Sequence, residues 1–173
     1  LREMMTIGPA MLKKYSPAAP QTKMLRSAVR LESSTIGQCQ AEIHTPNGWT
    51  PADGTLLYFH GGGYSLCSPA THRELVSRIS FASRMRAVAL DYRLAPSHPF
   101  PHAVEDALSA YEHLLSEGCQ PEKICLGGDS AGGGLTLATL LSLRDKGRPL
   151  PKGAVLLSPW VDLTCQGASI DGN

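Results

Sequence analysis

Four short apolar runs recur along the chain, and segments with helical periodicity separate them. The runs are Leu56-Leu57-Tyr58-Phe59, Ala87-Val88-Ala89-Leu90, Ile124-Cys125-Leu126 and Ala154-Val155-Leu156-Leu157. Each run is continuous instead of alternating with polar residues, which is typical of strands buried on both faces of a parallel sheet. Their spacing of about 30 residues matches a strand–helix–strand unit. The sequence therefore predicts an α/β fold, with a mostly parallel sheet and helices on both faces.

The segments between the runs predict three helices, which begin after Pro69, Pro101 and Ser130. In the first, Thr71 and Glu74 have the spacing of a capping box, followed by an apolar stripe that includes Leu75 and Ala82. The second keeps apolar residues at i, i+3, i+4 and i+7 and ends near Gly118.

The N-terminal part of the chain does not follow the sheet pattern. Residues 1–35 predict a helical cap or lid segment, and the more mixed run 38–44 predicts an edge strand. Residues 36–173 are then expected to form the sheet-containing domain. No repeat or second domain is visible.

The composition fits a folded domain and excludes several function classes. Hydrophobic residues make up 42% and charged residues 18%, while the net charge of +1 gives no electrostatic footprint for nucleic acid. The uncharged, apolar stretch 131–143 is shorter than the ~20 apolar residues of a membrane span. Five cysteines without Cys-x-x-Cys spacing argue against a zinc site or a disulfide framework. We therefore expect a cytoplasmic protein; a cleaved signal or anchor upstream of Leu1 stays open.

A glycine-rich segment, which follows the third apolar run and opens a helix, indicates a catalytic site. It contains Gly128-Asp129-Ser130-Ala131-Gly132, a G-x-S-x-G motif between a strand and a helix. A tight turn there would project the serine hydroxyl above the carboxyl edge of the sheet, beside a helix N-terminus that favours negative charge. The alternative is a plain helix-opening turn with the serine as N-cap.

A second glycine-rich segment, His60-Gly61-Gly62-Gly63, follows the first apolar run. Its backbone N–H groups could approach a substrate oxygen without obstruction by side chains. The alternatives are a simple glycine turn and a phosphate-binding nest, but the phosphate motifs G-K-S/T and G-x-G-x-x-G are absent. Because both segments fall at the carboxyl ends of strands, they favour one acyl-hydrolase site.

The motifs together resemble those of the α/β-hydrolases of the hormone-sensitive-lipase group, which includes bacterial esterases and arylacetamide deacetylases. The resemblance runs from about residue 36 to 165, and these segments carry it: His60-Gly61-Gly62-Gly63, Asp91-Tyr92-Arg93-Leu94-Ala95-Pro96, Pro99-Phe100-Pro101 with Glu105-Asp106, Gly128-Asp129-Ser130-Ala131-Gly132-Gly133 and Ser158-Pro159-Trp160-Val161-Asp162. It implies the α/β-hydrolase fold with an N-terminal helical cap.

The resemblance also implies roles for single residues. Ser130 looks like the nucleophile. The N–H groups of Gly62, Gly63 and Ala131 look like the oxyanion hole, and Gly61 is a fourth member that shapes the turn. The implied activity is hydrolysis of small to medium apolar carboxylic esters through an acyl-enzyme, with no metal and no organic cofactor.

Three further residues are expected to support the site. By the resemblance, His60 braces the glycine turn, and Asp129 supports the site without being the triad acid. Arg93 is expected to join loops through ion pairs, because a buried guanidinium needs partners.

The catalytic base is missing from the sequence given. All six histidines precede Ser130, whereas this fold places the acid and then the histidine after the serine. We therefore expect an incomplete domain whose acid and histidine lie beyond Asn173, either a segment completed by a C-terminal partner segment or a truncated product. Two alternatives stay open: a non-catalytic small-molecule receptor of the gibberellin-receptor kind, and an amide deacetylase. The sequence indicates no oligomeric state.

Overall fold

Six strands form one sheet in the computed structural model, which describes residue 25 and residues 27–167. The strands are β1 (Val29–Ile36), β2 (Cys39–Pro46), β3 (Thr55–Phe59), β4 (Arg86–Leu90), β5 (Ile124–Asp129) and β6 (Gly153–Leu157), in the order β1-β2-β4-β3-β5-β6. Strand β3 is parallel to β4 and β5, and β5 is parallel to β6. Strand β2 is antiparallel to β1 and β4. The mostly parallel α/β sheet is therefore confirmed.

Within residues 29–167, three α-helices cover the sheet: α1 (Pro69–Ser83), α2 (His102–Ser116) and α3 (Ala131–Asp145). Short 3-10 turns occupy Pro51–Asp53 and Pro121–Lys123. Helix α2 buries the stripe that its periodicity predicts, and Gly118 follows it with a φ of 87°. The hydrophobic core lies on both sides of the sheet, since alternate residues of a strand point to opposite faces. Leu57 and Phe59 pack with α2 and α3, whereas Leu56 and Tyr58 pack with Val76 of α1.

The N-terminal boundary predicted from the sequence is partly wrong. Residues 29–35 belong to strand β1 instead of a helical cap, and β1, not the run 38–44, lies at this edge of the sheet. Most of β1 is exposed and polar, because only its ends pack against the core. Of the remaining cap segment, residues 1–24 and 26 lie outside the described residues.

Two details of α1 also differ from the prediction. The capping box joins Ser68 and Thr71 instead of Thr71 and Glu74. Of the predicted stripe, Val76 is buried, but Leu75 and Ala82 are exposed. Polar Ser80 is buried instead, since its hydroxyl donates to the carbonyl oxygens of His44 and Met85.

Candidate active site

Ser130 sits in the turn that joins β5 to α3, at the carboxyl end of the parallel strands. Its backbone has φ 50° and ψ −118°, a strained conformation that non-glycine residues rarely adopt. Two backbone bonds hold it: the Ser130 N–H donates to Leu157 O at 2.9 Å, and the Trp160 N–H donates to Ser130 O at 2.8 Å. The side chain makes no capping hydrogen bond and is exposed. Ser130 is thus the N-cap residue of α3 by position, as the alternative predicts, but its hydroxyl does not cap the helix.

The turn needs glycine because three backbone segments meet there. A Cβ atom on Gly132 would overlap the carbonyl oxygen of Phe59 and approach that of His60 to 2.7 Å. The absence of a side chain lets the first turn of α3 lie directly against the end of β3. The segment after β3 is thereby brought beside Ser130.

That segment, the glycine loop (residues 60–63), is held by a buried histidine. The His60 Nδ1–H donates to Gly61 O at 2.7 Å, and the ring stacks on Tyr92 with centroids 4.4 Å apart. The Tyr92 hydroxyl donates to His60 O at 2.6 Å. Burial lowers the pKa of His60, so the ring is neutral. Gly62 follows with a φ of 124°, a region that only glycine adopts without strain.

Asp129 connects the glycine loop to the serine turn. Its carboxylate accepts hydrogen bonds from the Tyr58 hydroxyl at 2.7 Å, the Gly61 N–H at 3.0 Å and His72 Nε2 at 3.3 Å. Burial alone would raise the pKa of Asp129, but hydrogen bonds from His72 and Tyr58 outweigh burial and hold it below its usual range. The Gly61 N–H is thus already bonded, which leaves Gly61 a part in shaping the loop and not in donating to a ligand.

The backbone N–H groups of Gly62, Gly63 and Ala131 are differently placed. Within the described part of the chain, they have no hydrogen-bond partner. The Ala131 N–H lies in the first turn of α3, where the helix dipole favours an anion. An oxygen that gains negative charge beside Ser130 could use these donors.

Arg93 has the structural role that the sequence predicts. Its guanidinium donates to the Asp106 carboxylate through Nε at 2.9 Å and a terminal nitrogen at 2.7 Å, and it lies 3.4 Å from Glu105. Arg93 therefore fixes the segment after β4 to α2. That segment in turn contacts the site region, since the Ala95 N–H donates to Tyr64 O at 2.8 Å.

His72, on the first turn of α1, was not predicted to belong to the site. Its ring centroid lies 5.6 Å from that of His60, and its hydrogen bond to Asp129 spans 57 residues of chain. Neither motif contains it, and the helical pattern gives it no special position.

Two cavities lie away from Ser130. Two spaces of about 600 and 550 Å³ open around Trp49, at the amino ends of the parallel strands. Among the described residues, no group of three or more His, Cys, Asp or Glu side chains could hold a metal ion. The same part of the chain contains no helix with the length and apolarity to cross a membrane.

Comparison with known proteins agrees with this geometry. A family model described as an α/β-hydrolase fold matches residues 56–173. The chain belongs to this α/β-hydrolase family. An acetyl-hydrolase of Streptomyces hygroscopicus is 53% identical over 136 residues, which are 78% of this chain and 44% of that relative.

Solved structures place the chain near the hormone-sensitive-lipase group, as its motifs predict. A hormone-sensitive lipase from a metagenome library superposes with a TM-score of 0.82 at 39% identity, over 93% of this chain and 51% of that one. An esterase/lipase from an uncultured bacterium gives 0.80 at 41% identity, over 95% and 63%. This α/β-hydrolase chain thus spans about half the length of such relatives.

Proposed function

We propose that this α/β-hydrolase chain supplies the nucleophile and the oxyanion-binding groups of a carboxylic-ester hydrolase. The observation that carries the proposal is the strained, exposed Ser130, whose hydroxyl makes no capping hydrogen bond and lies beside unpaired backbone N–H groups. The names of the relatives, acetyl-hydrolase and esterase, agree with ester hydrolysis.

The chemistry proceeds in two halves. Ser130 Oγ attacks the ester carbonyl, and the tetrahedral oxyanion accepts hydrogen bonds from the N–H groups of Gly62, Gly63 and Ala131. Collapse of this intermediate expels the alcohol, whose oxygen receives the proton that the base took from Ser130, and leaves an acyl-enzyme, which water hydrolyses to release the acid. Removal of one such donor typically lowers kcat by about 10²–10³-fold. Small to medium apolar esters are the proposed substrates, and no cofactor takes part.

A base must take the proton of Ser130, and we propose that it comes from a part of the protein that follows residue 173. No imidazole among the described residues is bonded to the Ser130 hydroxyl, and every histidine of the chain precedes it. The relatives are about twice as long as the matched region. Apolar residues exposed on and after β6 are available to pack against such a segment; they include Val155, Val161 and Leu163, at 56%, 58% and 60% exposure.

A fluorophosphonate probe tests the proposal on the complete protein. We expect covalent labelling of Ser130, loss of labelling in Ser130→Ala, and unchanged labelling in Ser116→Ala, which removes an exposed serine hydroxyl on α2. Absence of label on the wild-type protein, or label retained in Ser130→Ala, would contradict the proposal.

Substrate pairs separate the remaining alternatives. Turnover of an ester but not of the matched anilide indicates an esterase, and comparable turnover of both indicates an amide deacetylase. A protein that binds the ester without turning it over is a receptor on this fold.

A further inference from the structure

His72 joins the site through a contact between its ring and the Asp129 carboxylate. Its Nε2 faces the Asp129 carboxylate at 3.3 Å, and its Nδ1 faces Thr71 Oγ1 at 2.9 Å. A carboxylate oxygen only accepts, so Nε2 carries a proton, whereas the Thr71 hydroxyl can accept from Nδ1 or donate to it. An imidazolium donates from both nitrogens: its Nε2–H forms an ion pair with Asp129, and its Nδ1–H is directed to Thr71 Oγ1.

A positive charge on His72 would affect the site because Asp129 lies directly beside Ser130. A carboxylate directly beside the serine turn opposes the negative charge that develops on the substrate oxygen. A positive His72 cancels that field while it fixes the carboxylate, and the fixed carboxylate holds the Gly61 N–H at 3.0 Å. The glycine loop is then positioned without an electrostatic cost to the oxyanion.

We propose that His72 is a positioning residue for ester hydrolysis: as an imidazolium it neutralises and orients Asp129, which holds the glycine loop beside Ser130. This inference rests on the proposed function, because it assigns a role to His72 only if Ser130 is the nucleophile.

The charges around His72 agree with a cation at this position. The hydrogen bond to Asp129 raises the pKa of His72, while burial lowers the pKa of the neighbouring His60. The pKa values of the two adjacent imidazoles are thus shifted in opposite directions. The other titratable groups near this contact between α1 and the sheet are Tyr58, bonded to Asp129; Tyr92 and Asp91, on the side of His60; Glu42, paired with Arg73; and His44, bonded to Ser77. Asp129 is the one carboxylate bonded to the His72 ring in the described part of the chain.

The test compares variants of the complete protein in the hydrolysis of a short-chain p-nitrophenyl ester between pH 5 and 10. His72→Gln keeps an N–H donor but cannot carry charge, and His113→Gln on α2 is the matched control. We expect His72→Gln to lower kcat by about 10- to 50-fold with KM nearly unchanged, the effect of one uncompensated unit charge over roughly 7–12 Å at an effective dielectric constant of about 20. His113→Gln should retain wild-type kcat.

The pH profile and a second substitution distinguish charge from mere structure. Wild-type kcat should fall as the pH rises through the pKa of His72 measured by NMR, and this fall should be absent in His72→Gln. Removal of the carboxylate charge in His72→Gln/Asp129→Asn should recover part of the loss. A structural histidine would show neither effect.

Several results would overturn the inference. They are wild-type kcat in His72→Gln, no recovery in the double variant, and an NMR pKa of His72 at or below the ordinary value of about 6.5. The NMR measurement needs only the wild-type protein, so it decides even if the variants fail to fold. Labelling of Ser130 by the fluorophosphonate is measured first: its absence defeats the proposed function, whereas labelling with wild-type kcat in His72→Gln defeats this inference alone.

Discussion

The buried carboxylate of Asp106 offers a quantitative test of how the segment after β4 is held. Asp106 is fully buried and accepts from the Arg93 guanidinium, the Arg93 backbone N–H at 2.8 Å and Gln38 Nε2 at 2.6 Å. Burial would raise the pKa of this carboxyl, but the Arg93 and Gln38 hydrogen bonds lower it overall. The hydrogen bonds to the carboxylate therefore favour its ionised form despite burial.

Asp106→Asn keeps the shape of the side chain but removes its charge and turns an N–H group toward the Arg93 donors. Breaking a buried pair by neutralising one partner costs about 3–5 kcal/mol of unfolding free energy. At about 2–4 °C per kcal/mol, the melting temperature should fall by roughly 6–20 °C. Glu105→Gln is the control, because Glu105 is 54% exposed and an exposed ion pair contributes at most about 1 kcal/mol.

Chemical denaturation of both variants at several pH values measures the difference. Since the folded pKa of Asp106 is lowered, its contribution is present above the unfolded value of about 3.9 and is lost as the pH falls through the folded pKa. The gap between wild type and Asp106→Asn should therefore narrow in acid. Equal stabilities of Asp106→Asn and Glu105→Gln near neutral pH would refute the reasoning.

Two further predictions concern packing and pH. Gly132→Ala should destabilise the protein by about 2–3 kcal/mol or more and reduce labelling of Ser130, whereas Gly153→Ala, whose Cβ would meet open space, should be nearly neutral in denaturation. Burial lowers the pKa of His44 to about 4, so stability should fall by up to about 3 kcal/mol as the pH drops from 6.5 toward 4. His44→Asn should lose that dependence; an unchanged pH profile of unfolding would contradict it.

The sheet could be predicted because burial on both faces leaves a signal in the sequence. Strands β3, β4 and β5 lie where the continuous apolar runs predict them, and their parallel order follows from the intervening helices. Strand β1 gives no such signal, since its polar residues face solvent along the edge of the sheet. The sequence feature that marks β1 is Gly37, in the turn that joins β1 to β2. This glycine has a φ of 62°, and the two strands that it joins pair antiparallel.

Part of the site was predictable by the same physics. Parallel pairing sets Phe59 opposite Gly128, so the segments after β3 and β5 must meet at one edge. His72 required more, because it reaches Asp129 only after the chain leaves the glycine loop through left-handed conformations at Tyr64 and Cys67 and returns as α1. Periodicity predicts which face of a helix is buried, but the partner of a polar side chain depends on how the preceding loop positions the helix. The hydrogen-bond network around Asp129 is therefore visible only in three dimensions, although each of its members is an ordinary residue in the sequence.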